Sequence, residues 1–283
     1  MHDPKVTYRS VFGIEQDPPQ WNSAFKQANY GLPNELVEAF QSAWEKAASL
    51  PIPSVKFEKW RWLDFSQLRL EKARVWTKPD YKLEVEFLSL VDGDTKHSDP
   101  IREGLVISTF GEALRRYPEL IVRFLKQNSK HRPEKFQALA EALARDGLFV
   151  YVPRGVKVDG VAVAKLHGEM HAGMTTTRTI IWLEPGAELK LVLDMQCKSP
   201  ATADTLFQLG KTDLLLDEDA KLHVTDVSIF KQEVTTLRYN QARLGRRAKL
   251  DWIYTAVATA NGKQSLEVNL EGEGAEAEID GIY

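Results

Sequence analysis

The sequence predicts a mainly β chain: a right-handed parallel β-helix of stacked coils, preceded by an α-helical, α+β N-terminal domain. Three observations predict it. Helix signals dominate up to about residue 147 and all but vanish afterwards. Apolar–polar alternation takes over from Leu148, as in Ala275-Glu276-Ala277-Glu278-Ile279-Asp280. A short corner pattern then returns at intervals of 31, 33, 28 and 27 residues.

The N-terminal elements follow in order. Asn34 can cap a helix whose apolar face is Leu36, Phe40, Ala43, Trp44 and Ala47, and Pro51 and Pro53 end it. Lys82–Leu88 and Leu105–Ser108 read as strands. Thr109 followed by Glu112 fits a capping box, in which the hydroxyl takes a free backbone N–H and the carboxylate reaches back. Pro118 opens a turn carrying Leu120, Ile121, Phe124 and Leu125. Pro133 suits a first helical position, with Phe136, Leu139, Ala140 and Leu143 on one face and Gly147 as a left-handed stop. Trp21, Trp44, Trp60 and Trp62 sit at apolar positions and read as core. The expected domains are residues 1–147 and 148–283, the second incomplete at its C-terminal end.

The corner pattern is an apolar residue, a tight turn, a small apolar residue, a polar one and an apolar one. It reads Val152-Pro-Arg-Gly-Val156-Lys-Val158, then Leu183-Glu-Pro-Gly-Ala187-Glu-Leu189. It returns as Leu216-Asp-Glu-Asp-Ala220-Lys-Leu222 and Leu244-Gly-Arg-Arg-Ala248-Lys-Leu250. A copy one residue longer is Leu270-Glu-Gly-Glu-Gly-Ala275-Glu-Ala277. A coil of this size cannot bury its inward row alone, so neighbours must stack. The small residue after the turn points inward, where the cross-section is narrow.

Composition bounds the function. The chain has 283 residues, 43% hydrophobic and 27% charged, which suits a soluble globular protein. Its net charge of −3 argues against bulk nucleic acid as the main partner. No run approaches the roughly 18 apolar residues that a membrane helix needs. Met1-His2-Asp3-Pro4-Lys5 leads into no apolar core, so no secretory signal is expected and the cytoplasm is the default. A single cysteine, Cys197, makes neither an internal disulfide nor, alone, a structural zinc site. Residues 264–283 carry six acids and no Lys or Arg, interleaved with apolar residues, and read as one solvated strand face.

The corners, together with Glu271-Gly-Glu-Gly-Ala275, resemble the β-helix core of the SufB/SufD family of iron–sulfur cluster assembly proteins. Gly147-Leu-Phe-Val-Tyr-Val-Pro-Arg-Gly-Val156 looks like that family's first coil. The segment from Val106 to Leu120 fits as well. Trp60-Arg-Trp-Leu-Asp-Phe65 is similar to a Trp-Arg-Tyr-Thr-Asp-Leu stretch that favours SufD over SufB, with Leu63 and Phe65 departing from it. The resemblance covers most of residues 32–283. It implies a non-enzymatic cytoplasmic scaffold subunit with SufB-like and SufC-like partners. SufC would supply ATP hydrolysis, and an iron–sulfur cluster would form transiently in the complex, none being held stably by this chain. Family members continue past the position of Tyr283, so a truncated chain, or one pairing through its β-helix edges, even as a homodimer, is expected.

Candidate chemistry is sparse. His167, Glu169 and His171 share a strand face, so two imidazoles and a carboxylate can converge on a metal; the alternatives are an exposed polar strand face or a bend at Gly168 and Gly173. Cys197 can accept sulfur or ligate iron with a partner's residues, or can simply be a buried small hydrophobe. His223 reads as a solvated surface residue. Asp217-Glu218-Asp219 reads as solvated acids pointing different ways, not as a calcium loop. No Gly-x-x-x-x-Gly-Lys-Ser/Thr loop is present to grip ATP phosphates. Ser228-Ile-Phe-Lys231 fits Ser-x-x-Lys but lies in strand and reads as chance. Two alternative functions are a polysaccharide-acting β-helix enzyme, which needs paired carboxylates along a groove, and a family fragment without function of its own.

Overall fold

A computed structural model describes residues 10–77, 80–91, 94–97, 104–128, 133–169, 172–198 and 206–282. The N-terminal part carries helices α1 (Pro19–Asn29), α2 (Asn34–Ser49), α3 (Phe110–Arg116), α4 (Pro118–Gln127) and α5 (Lys135–Leu143). Its strands are β1 (Val75–Trp76), β2 (Asp80–Val91), β3 (Asp94–His97) and β4 (Val106–Thr109). The rest is strand: β5 (Gly147–Val152), β6 (Val161–Glu169), β7 (Gly173–Leu183), β8 (Glu188–Lys198), β9 (Leu206–Leu216), β10 (Lys221–Leu244), β11 (Lys249–Leu270) and β12 (Glu276–Ile282).

These strands wind as a β-solenoid of about four turns. One flank stacks β5, β7, β9 and the second halves of β10 and β11 in parallel, aligning Val152, Leu183, Leu216, Leu244 and Leu270. The other stacks β6, β8, the first halves of β10 and β11, and β12, aligning Leu189, Leu222, Leu250 and Ala277. The corners between the flanks superimpose. Backbone N–H groups of Lys221, Lys249 and Glu276 donate to the carbonyls of Ala187, Ala220 and Ala248 at 2.8, 2.9 and 3.0 Å. Those three alanines are completely buried, as the narrow cross-section requires.

The corners share a backbone device. Gly155, Gly186, Asp219, Arg247 and Gly274, each directly before the small residue, all have φ between 55° and 72°. A left-handed residue is what turns the chain sharply enough for the next side chain to point inward.

The solenoid has two hydrophobic cores, and single strands feed both. On β5 and β7, Leu148, Val150, Ile181 and Leu183 point into the solenoid, while Phe149, Ile180 and Trp182 point out beneath the helices. β9 does the same with Leu214 and Leu216 inside and Phe207, Leu209 and Leu215 outside. The outer core is aromatic: Phe12 stacks on Phe136 with ring centroids 4.0 Å apart, and Trp21 meets Phe136 edge-on. α5 lies between α2 and this flank, which is why it is buried nearly all round. The N-terminal strands extend the same sheet: β2 and β4 run antiparallel to β6 and β5, and β1 runs parallel to β7.

Several local expectations change. Asn34 is the first helical residue and Pro33 precedes it, with no side-chain cap. Thr109 does cap α3, accepting from the Glu112 N–H at 3.2 Å, but the Glu112 carboxylate turns to Arg116 at 2.8 Å. α5 starts at Lys135, two residues after Pro133. Gly147 ends no helix; it opens β5 at φ 130°, and a Cβ there would lie 2.1 Å from the Arg178 carbonyl oxygen. Trp21 and Trp60 are core, whereas Trp62 is 83% exposed, with the Arg61 guanidinium over its ring.

Candidate functional site

Alternation decides what each solenoid strand places inside. β8 sends Leu189, Leu191, Leu193, Met195 and Cys197 inward. β10 sends Leu222 and Val224 inward, then Asp226 and Ser228, and after its bend Thr236, Arg238 and Asn240. The interior is therefore apolar beside the leucine corners and polar towards the opposite edge.

The polar end is built around Arg238. Its Nη2 donates to Asp226 Oδ2 at 3.0 Å and its Nη1 to Ser228 Oγ at 2.8 Å, while Ser228 Oγ donates to Asp226 Oδ1 at 3.1 Å. All three residues are at most 5% exposed. Paired in this way, neither charge is left bare in the low-dielectric interior. Gly210 sits beside Arg238 on the neighbouring rung.

Cys197 completes the group. Its Sγ lies 3.1 Å from the Tyr81 hydroxyl, which arrives from β2. Tyr81 reaches it across Gly168, where a Cβ would come within 2.2 Å of the tyrosine ring. Burial pushes the Cys197 thiol up to about 11, against the pull of the Tyr81 hydrogen bond and the Arg238 charge. Burial, together with Cys197, also raises Tyr81 well above the ordinary phenol value. Both are neutral at physiological pH. Nearby, the side-chain amides of Gln208 and Asn240 and the Thr175 hydroxyl are buried without a hydrogen-bond partner among the described residues. Such groups suit water or a small polar guest.

The structure does not bring His167 and Cys197 together. His167 lies on the outward face of β6, next to Lys82 and Gln196 in register, whereas Cys197 points inward from β8. His171 lies outside the described residues. Among the described residues, no three His, Cys, Asp or Glu side chains are grouped to hold a metal ion. His223 does face solvent, with Nδ1 2.5 Å from Asp251 Oδ2. The three acids of the 217–219 corner are taken up by side chains rather than by a shared ion: Asp217 accepts from Trp182 Nε1, Glu218 pairs with Arg246 and Arg247, and Asp219 pairs with Arg247. Tyr81, Asp226 and Arg238 escape a reading of the sequence, and Ser228 enters it only as a chance Ser-x-x-Lys match. The signal for two of them is present there: Asp226 and Ser228 continue the inward register of Leu222 and Val224, so a polar residue at either position is a buried one.

Two family descriptions match the chain. "SUF system FeS cluster assembly, SufBD core domain" matches residues 166–283, most of the solenoid, and "SufBD protein N-terminal region" matches residues 87–162. The chain belongs to the SufBD family. An iron-sulfur cluster assembly SufBD family protein of Pyrococcus horikoshii is 28% identical over 185 residues, covering 64% of this chain and 40% of that protein. The iron-sulfur cluster assembly protein SufD of Bacillus subtilis is 22% identical, covering 94% of this chain and 62% of its own length. A SufBD family protein of Staphylococcus saprophyticus is 22% identical over 61% of this chain and 37% of its own. This SufBD chain thus spans roughly two to three fifths of the length of these relatives. No helix among its described residues is long and apolar enough to cross a membrane.

Proposed function

We propose that this SufBD chain is a non-catalytic, cytoplasmic scaffold subunit of a SufBCD-type iron–sulfur assembly complex, of SufD rather than SufB type. The observation that carries the reading is the fit of the family's core description to the solenoid. Alignment with the Bacillus subtilis SufD over nearly the whole chain supports the subunit type. The architecture suits a platform, since the aromatic outer core and the β4–β5 and β1–β7 pairings lock the helical layer onto one flank. In this reading a SufC-like partner hydrolyses ATP and the cluster is cargo of the assembled complex. Cys197 is 2% exposed and protonated, which favours a packing role in the closed interior over that of a ligand at a subunit surface.

The test is co-expression with SufB-like and SufC-like subunits followed by size-exclusion chromatography. The expected result is co-elution, with ATP hydrolysis in the complex and none from this chain alone. A chain that elutes alone, or that hydrolyses ATP by itself, overturns the proposal.

A further inference from the structure

A cleft of about 380 Å³ opens between α2 and α4, away from the solenoid interior. Its walls are Ala39, Phe40, Ala43, Val122 and Leu125, and its floor is Arg178 and Glu141. That volume lies in the range of small-molecule sites.

The floor is part of a buried charge network. Arg178 Nε and Nη2 donate to Asp213 Oδ2 at 3.1 and 2.9 Å. Lys211 Nζ binds Glu141 Oε1 at 2.5 Å and Asp213 Oδ1 at 2.9 Å. These two cations and two anions pair with one another. A third buried cation does not: Arg145, 3% exposed, donates among the described residues to the carbonyls of Ala28 and Ala144 and to Asn29 Oδ1, none of them charged. Its guanidinium lies 3.7 Å from the centroid of the Phe40 ring, the ring that walls the cleft. Burial and the Arg178 charge pull Arg145 down to about 9. Helix C-termini at Ala28 and Ala144 offset part of its charge but supply no full anion. Arg178, 2% exposed, keeps Nη1 without a hydrogen-bond partner among the described residues.

We propose that this cleft binds a small organic monoanion, an apolar body carrying one carboxylate, with the carboxylate on Arg178 Nη1 and the body between α2 and α4. The mouth carries Lys46 and Lys126 against Glu35 and Glu38, so charge selection falls to the floor. A guanidinium edge is suited to holding a carboxylate.

The test uses the full chain and two probes of equal shape, 3-phenylpropanoate and 3-phenylpropanamide, in calorimetric titration. The acid binds at one site and the uncharged amide at least about tenfold more weakly. Ala39→Phe, at a half-exposed helix position, fills the cleft and weakens the acid by about tenfold or more with the circular dichroism spectrum unchanged. Equal affinity for acid and amide overturns the proposal without any variant. So does an absence of acid binding up to about 10 mM, or unchanged binding to a folded Ala39→Phe protein.

Discussion

Asp219 and Arg247 occupy the same corner position on adjacent rungs, both with positive φ, and their side chains form a two-point ion pair. The other three corners place glycine there. Here two residues with side chains adopt the strained conformation and satisfy each other. The Arg247 guanidinium holds the Asp219 carboxyl below its ordinary value. The pair is half-exposed, so its net worth is small and backbone strain decides the outcome of substitution. Asp219→Gly therefore keeps its urea midpoint close to that of the parent, while Asp219→Val, β-branched and unable to adopt the turn, lowers it clearly.

The Arg238–Asp226 pair is the opposite case, with side chains only 6% and 3% exposed. Arg238→Met leaves a bare carboxylate inside the solenoid and costs on the order of 3–5 kcal/mol. Arg238→Met with Asp226→Leu costs less than the single change. Denaturant unfolding of the two variants measures the difference, and equal losses would contradict a paired-charge account.

Gly147 faces the Arg178 carbonyl at a distance that admits no side chain. Gly147→Ala destabilises by roughly 3 kcal/mol or more, because both φ and contact distance forbid the added carbon. Gly31 also has positive φ, but a Cβ added there would meet no atom within 4 Å. Gly31→Ala carries only the backbone penalty, on the order of 1 kcal/mol. Thermal unfolding of the two variants ranks them.

Alkaline pH weakens the interior around Cys197 and Tyr81. Both groups are neutral when protonated and both have raised folded-state values, Cys197 from 9.0 to about 11. The folded chain therefore holds protons that the unfolded chain releases. Their contribution is full below about pH 9 and is lost as pH rises towards 11 and beyond. Unfolding midpoints should fall across that window. Thiol labelling at pH 8 should be slow in the native protein and fast in denaturant; rapid native labelling would refute the buried, protonated thiol.

Much of the solenoid is legible in the sequence because its cause is periodic. The small residue after each turn must point inward, and the Ala187, Ala220 and Ala248 corners do so with complete burial. α1 lacks a cap signal, although Trp21, Ala24, Phe25 and Ala28 carry helical spacing and are its buried face. Trp60 and Trp62 read alike in sequence, yet only the first meets the core; what a residue packs against is not a local property. The same limit hides the site. Tyr81 and Cys197 are 116 positions apart, brought together by the antiparallel pairing of β2 with β6, which no short pattern announces. His167 and Cys197, both candidates from sequence, stay apart because neighbouring strands present them on opposite faces.

Because successive residues of β5, β7 and β9 belong alternately to two separate cores, these strands have a reading phase. Deleting one residue between Leu148 and Val152 would drive Phe149 into the space of a smaller side chain and strip the helices of their aromatic support. Changes of length can be absorbed only where the phase resets, at the bends. The bend through Gly272 and Gly274 carries one more residue than its neighbours, and Ala277 still falls opposite Leu250. The protein can therefore be lengthened by bends or by whole windings, but not by single positions within a strand.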